Sequence, residues 1–137
     1  MERIAEKTRK LDFLSGETLD SAIEVHRILG GPGLLEGVYE EALAHELKLR
    51  GHTVKRQVAV PIEYKGQSIN KPLFLDLFID NLLIIEVKSV EQFNPIFQAQ
   101  VLTYLRLIGL PLGLIVNFGE QYIKHGFYRV VNNFPGG

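Results

Sequence analysis

The chain contains no cysteine, which excludes disulfides and thiolate metal sites and suits a reducing, cytosolic setting. It has no N-terminal apolar stretch of the kind a secretory signal carries, and no apolar run approaches the roughly 20 residues a membrane-spanning helix needs. A soluble, cytoplasmic protein with no membrane contact is expected. A global excess of positive charge is missing too. Fifteen Lys and Arg against 16 Asp and Glu leave a formal net charge of −1, so any contact with nucleic acid must be local. Repeats and low-complexity tracts are also absent. What is there is 137 residues at 46% hydrophobic content, which fits a single domain around one core over residues 1–137, with residues 1–14 and 133–137 expected as loose tails.

Apolar periodicity orders the elements. Leu19, Ala22, Ile23, His26 and Leu29 recur at helical spacing until Gly30-Gly31-Pro32-Gly33 interrupts them. Leu35, Val38, Tyr39, Ala42, Leu43 and Leu47 form a second stripe, with Lys48 and Arg50 in its last turn and Gly51 as the cap. Val54 to Tyr64 alternates as a strand and turns at Lys65-Gly66. Ile69 to Ile79 returns, and Asp80-Asn81 leads into a third strand over Leu82 to Val90. Asn94-Pro95 opens a helix striped by Phe97, Val101, Tyr104, Leu105 and Ile108, which Gly109 and Pro111 end. Leu112 to Phe118 reads as a buried strand and Gly126 to Val131 as a last one. Strand, helix, buried strand implies a right-handed crossover with parallel pairing. The fold class is therefore α/β, a mixed β-sheet flanked by helices.

Three charges interrupt the most apolar part of this pattern: Asp76, Glu86 and Lys88 lie within Leu73–Val90. Glu86 and Lys88, two apart on a strand, leave the same face, while Ile85 and Val87 leave the other. A three-residue connection pairing Ile79 with Leu83 puts Asp76 opposite Glu86; a two-residue turn slips the register and sends Asp76 to the far face. Two carboxylates roughly 5 Å apart repel by a few kcal/mol at an effective dielectric near 20 and need compensation. Mg2+ or Mn2+ would supply it, held by the pair and the backbone carbonyl of Val87, with Lys88 placed to orient an attacking water and offset charge on a phosphate. The competing reading is a solvated Glu-x-Lys face, against which the apolar flank Leu82-Leu83-Ile84-Ile85 argues.

The Asp76…Glu86-x-Lys88 arrangement resembles the active-site signature of the PD-(D/E)XK nuclease superfamily, and the order helix, three-strand meander, helix, strand resembles its restriction-endonuclease-like core. Gly33-Leu34-Leu35-Glu36-Gly37-Val38-Tyr39 resembles the signature of the GxxExxY family within that superfamily, and the likeness runs from about residue 18 to residue 131. The chain departs from the family's pattern at Phe97, commonly histidine there, and at Leu75, commonly arginine. The resemblance implies a metal-dependent nuclease acting on nucleic acid, most simply DNA. Asp76 and Glu86 would be metal ligands, Lys88 the catalytic lysine, and Glu36 a further acid reaching the metal directly or through water. Gln100 and Tyr104 resemble the Gln-xxx-Tyr motif of the exonuclease-like branch and share one helical face. Tyr104 also fits as a core residue, and Glu36 as a favourable charge at a helix N-terminus.

Other features carry less. His26, His45, His52 and His125 lack the i, i+4 pairing of a helical zinc site. The glycine-rich turn lacks the Lys-Ser/Thr of a P-loop, and Ser15 and Ser21 lack a nucleophile-elbow context. Lys48, Arg50, Lys55 and Arg56 form the one basic cluster; Lys55 and Arg56 are its candidates for a nucleic-acid backbone, with a solvated helix end as the alternative. A module that binds nucleic acid or assembles without turnover is the competing function, and a homo-oligomer is compatible with the sequence.

Overall fold

The computed structural model describes residues 2–134. Its elements are α1 (Glu2–Leu29), α2 (Glu36–Leu49), β1 (Val54–Tyr64), β2 (Gln67–Ile79), β3 (Leu83–Lys88), α3 (Ile96–Ile108), β4 (Leu112–Asn117), a 3-10 turn (Ile123–Gly126) and β5 (Phe127–Val131). The five strands form one sheet in the order β1-β2-β3-β4-β5. Neighbouring pairs are antiparallel except β3 and β4, which are parallel across the α3 crossover.

Helices cover both faces. Leu11, Leu14, Ala22 and Val25 of α1 and Tyr39, Leu43 and Leu47 of α2 pack on Leu77, Ile79, Leu83, Ile85, Val87, Leu114 and Val116. Val101 and Leu105 of α3 pack on Leu75, Ile84, Ile115 and Val130 of the opposite face. Gly113 permits the second contact: a Cβ there would stand 2.8 Å from Val101 Cγ1. The central strands are buried on both sides, which explains their unbroken apolar runs.

Local chemistry fixes the boundaries. Helix α2 ends in a Schellman motif, with Gly51 at φ 91° donating to Lys48 O and His52 donating to Leu47 O. The Asn94 side chain accepts the Ile96 N–H at 2.9 Å and starts α3, and Gly109 at φ 71° stops it. Asp80 and Asn81, both left-handed, make the β2–β3 connection, and Ile79 pairs with Leu83.

The amino-terminal tail expected over residues 1–14 is instead helical from Glu2 onward, with Leu11 and Leu14 buried. At the other end Phe134 is buried in the same core, while residues 135–137 of the expected tail lie outside the described residues. Among the described residues no helix is long and apolar enough to cross a membrane.

Candidate active site

The β2–β3 ladder runs from Ile79↔Leu83 to Leu77↔Ile85, the register that brings Asp76 to Glu86. There the two carboxylates replace the ladder. The Asp76 N–H donates to Glu86 Oε1 at 3.2 Å, and the Val87 N–H donates to Asp76 Oδ2 at 2.9 Å. Each side chain thus satisfies the other strand's backbone where the strands part. Glu86 is 7% exposed. Burial, then the negative charge of Asp76, pushes its carboxyl up to about 9, with Lys88 opposing.

The first strand is deformed at the same level. Gln57 holds φ 49°, a conformation non-glycine residues rarely take, and β1 and β2 change faces across it. Val54, Leu77 and Ile79 belong to the core under α1 and α2, whereas Val58, Val60 and Leu75 belong to the core under α3. The twist turns the Gln57 amide into the site. Its Nε2 donates to Glu40 Oε1 at 2.9 Å and to Asp76 Oδ1 at 3.2 Å. Asp76 is therefore held from two sides.

Glu40 was not among the residues singled out from sequence. It is 6% exposed, and burial, then Asp76, raises its carboxyl against the hydrogen bonds of Arg56 and Gln57. The signal was available: Glu36 and Glu40 are i, i+4 on α2 and share a face. Arg56, read as a phosphate contact, bonds Glu40 at 3.1 Å and Glu41 at 3.5 Å. It neutralises the acidic site from behind. Lys55 is exposed, with Nζ 2.9 Å from the Asn81 amide oxygen.

Glu36 is the first residue of α2, and the loop before it is pinned. The Tyr39 hydroxyl donates to Gly31 O at 2.7 Å and accepts from Leu34 N at 3.1 Å, while its ring stacks on Phe118 at 4.6 Å. Ser89 Oγ donates to Leu34 O at 2.9 Å, tying the loop to the chain just after Lys88. This gives the Gly33-x-x-Glu36-x-x-Tyr39 spacing a physical sense: Gly33 turns at φ 121°, Tyr39 locks the turn, and Glu36 is delivered to the site. Partial burial raises the Glu36 carboxyl, Lys88 lowers it and Asp76 raises it.

Helix α3 closes the other side. Lys88 Nζ lies 4.5 Å from the Phe97 ring centroid, a cation–π contact that steadies the ammonium group. Leu75, at 1% exposure, is core, so the two departures from the family's pattern serve packing and the lysine. Tyr104 is half-buried; burial first, then Glu86 and Asp76, raise its hydroxyl and keep it protonated. Gln100, one turn earlier, is exposed on the same flank.

Among the described residues no three His, Asp or Glu side chains stand as a ready-made ion-binding group. The donor set still fits Mg2+ or Mn2+. Such hard cations commonly take one or two carboxylates and complete their shell with water, and burial together with the charge of Asp76 disfavours the Glu86 carboxylate, a cost that a cation between the two would offset. No curated protein and no solved structure shows a significant match to the chain. The family model for the PD-(D/E)XK nuclease superfamily matches residues 12–130, an interval that contains every element of this site. With its mixed sheet, flanking helices and Asp76–Glu86–Lys88 centre, the chain belongs to the PD-(D/E)XK nuclease superfamily.

Proposed function

We propose that the protein is a cytoplasmic nuclease of the GxxExxY family that hydrolyses phosphodiester bonds in DNA with Mg2+ or Mn2+. One observation carries this reading: two carboxylates from adjoining strands, Asp76 and Glu86, are fixed against each other beside Lys88. Asp76 and Glu86 would hold the ion, with the Val87 carbonyl and Glu36 as further oxygen donors. When bound, the ion supplies a Lewis acid at the phosphate and a lower pKa for the attacking water. Lys88, steadied over Phe97, orients that water and offsets charge as it develops on the phosphate. Tyr104, kept protonated beside the carboxylates, offers a hydroxyl to a phosphate oxygen, and Gln100 extends that flank toward the substrate.

The competing reading is a module that binds or assembles without turnover. What favours it is the exposed apolar residues Leu34, Leu35 and Val38 around Glu36. The two readings separate on a panel of labelled single-stranded, duplex and branched DNA and RNA. Lys88→Ala should lower cleavage by at least 100-fold while ion binding, followed calorimetrically, persists; Asp76→Ala should lose both. Wild type no more active than Lys88→Ala across the panel would rule out catalysis.

A further inference from the structure

Beyond Val60 and Leu73 the β1–β2 hairpin leaves the body of the protein. Its strands stay paired as Ile62↔Ile69, Glu63↔Ser68 and Tyr64↔Gln67, but β3 reaches β2 only from Leu77 to Ile79. Residues 61–72 are thus a two-stranded ribbon with both edges open, and all but the half-buried Ile62 are exposed. Two-stranded ribbons without a packed face contribute little to stability, so this one needs another explanation.

Three properties point to its partner. The ribbon is cationic where the chain as a whole is not: Lys65 and Lys71 pair with no carboxylate among the described residues, and Glu63 is the one acid within residues 61–72. Its edges are poor templates for another strand. The register shifts between Val60 and Ile62, setting Pro61 against Asn70, Lys71 and Pro72, and a proline has no N–H to offer an incoming strand. Finally, its root is the active site. Gln57 and Asp76 stand where the hairpin joins the sheet, and Phe74, 54% exposed, lies two residues from Asp76. Val58 to Gly66 spans about 26 Å at ~3.3 Å per residue, and the major groove of B-DNA, about 12 Å wide, admits a two-stranded ribbon.

We propose that residues 61–72 are a DNA-binding arm that enters the major groove of a duplex and holds the adjoining phosphodiester at Asp76 and Glu86. The inference deepens the nuclease reading and rests on it for cleavage, but not for binding. Two variants of the full chain test it: one joins Val60 to Leu73 through Asn-Gly in place of residues 61–72, and the other is Lys65→Gln/Lys71→Gln with the ribbon intact. Binding is measured on a labelled 20-base-pair DNA duplex with Mg2+, in the cleavage-silent Lys88→Ala background. Shortening should weaken affinity at least tenfold, and the double lysine variant should reduce the slope of log affinity against log salt by about 2. An RNA duplex, whose deep and narrow major groove excludes such a ribbon, should bind more weakly and not respond to shortening.

With Lys88 restored, the shortened chain should cleave duplex DNA poorly yet hydrolyse thymidine 5′-p-nitrophenyl phosphate, too small to reach the ribbon, at the wild-type rate. Should shortening harm that small reaction as well, the lysine variant decides, and an unchanged salt slope overturns the arm. Duplex affinity equal to that of the unshortened chain also overturns it. So does a dimer that dissociates on shortening while DNA affinity stays constant, which would assign the ribbon to self-association. Ribbon-dependent duplex binding without hydrolysis of any diester by wild type would overturn the nuclease reading and leave the arm standing.

Discussion

Glu86 concentrates the electrostatic problem of the site in one residue. A carboxyl with an ordinary value of 4.5 that is pushed up to about 9 by burial and by Asp76 is held in its acid form through the neutral range. The sign for stability follows from linkage: the folded state binds the proton more tightly, so the group's contribution is fully present below about pH 4.5 and is lost as pH rises through 9. With a chelator present, Glu86→Gln, which keeps the shape without the charge, should melt above wild type by about 5 °C near pH 8, and the gap should close toward pH 4.5. Mg2+ or Mn2+ should reverse the order by raising the wild-type melting temperature in a concentration-dependent way. A variant that gained as much from the ions as wild type would place them elsewhere.

At the level of elements, the decisive feature is the change of face in β1 and β2 across Gln57. A left-handed φ on a non-glycine residue costs about 1 kcal/mol, and what it gains here is an amide joining Glu40 to Asp76. Gln57→Gly relieves the backbone and removes the amide together. Stability should stay within about 1 kcal/mol of wild type while kcat falls about tenfold, read by thermal melting and steady-state kinetics on one preparation; unchanged kcat would make the amide incidental. The sequence could not announce this twist, because Val54, Val58 and Val60 keep even spacing and read as one face. The first half of helix α1 was hidden for a related reason. Glu2 to Lys10 is densely charged and shows no stripe before Leu11 and Leu14, so only packing on the sheet reveals it. By contrast, the Asp76–Glu86 register was legible as one of two alternatives, since Asp80-Asn81 between two apolar strands admits a three-residue or a two-residue connection, and the Ile79↔Leu83 pairing selects the first. Glu40 was overlooked because an acid on a helix reads as solvent-facing until a neighbour such as Gln57 covers it.

Across the whole molecule, one polar junction ties the helical layer to the sheet on the side away from the ribbon. His52 Nδ1 lies 2.9 Å from Asp80 Oδ2 and Nε2 lies 3.1 Å from Glu17 Oε1, while the Thr53 N–H donates to Asp80 Oδ1 at 2.8 Å. Helix α1, the α2–β1 loop and the β2–β3 turn meet at this imidazole. That turn sets the Asp76–Glu86 register, so the junction also supports the site. Burial alone would lower the His52 pKa, but the bonds to Asp80 and Glu17 outweigh it and raise the value above 6.5. Burial would likewise raise Asp80, and His52 with the Thr53 N–H outweighs it, so that carboxyl falls below 3.8. The histidine's share of stability is therefore complete below pH 6.5 and is lost as pH rises through its folded value, whereas the aspartate's is present above pH 3.8 and is lost as pH falls through its own. Both act together between those limits. His52→Ala should accordingly cost most near pH 5.5, where the imidazolium bridges two carboxylates, and less near pH 9, where a neutral ring donates to only one of them. Denaturant melts of wild type and His52→Ala at the two pH values give the comparison. A difference independent of pH would mean that the residue serves by packing and that the charge at this junction is idle.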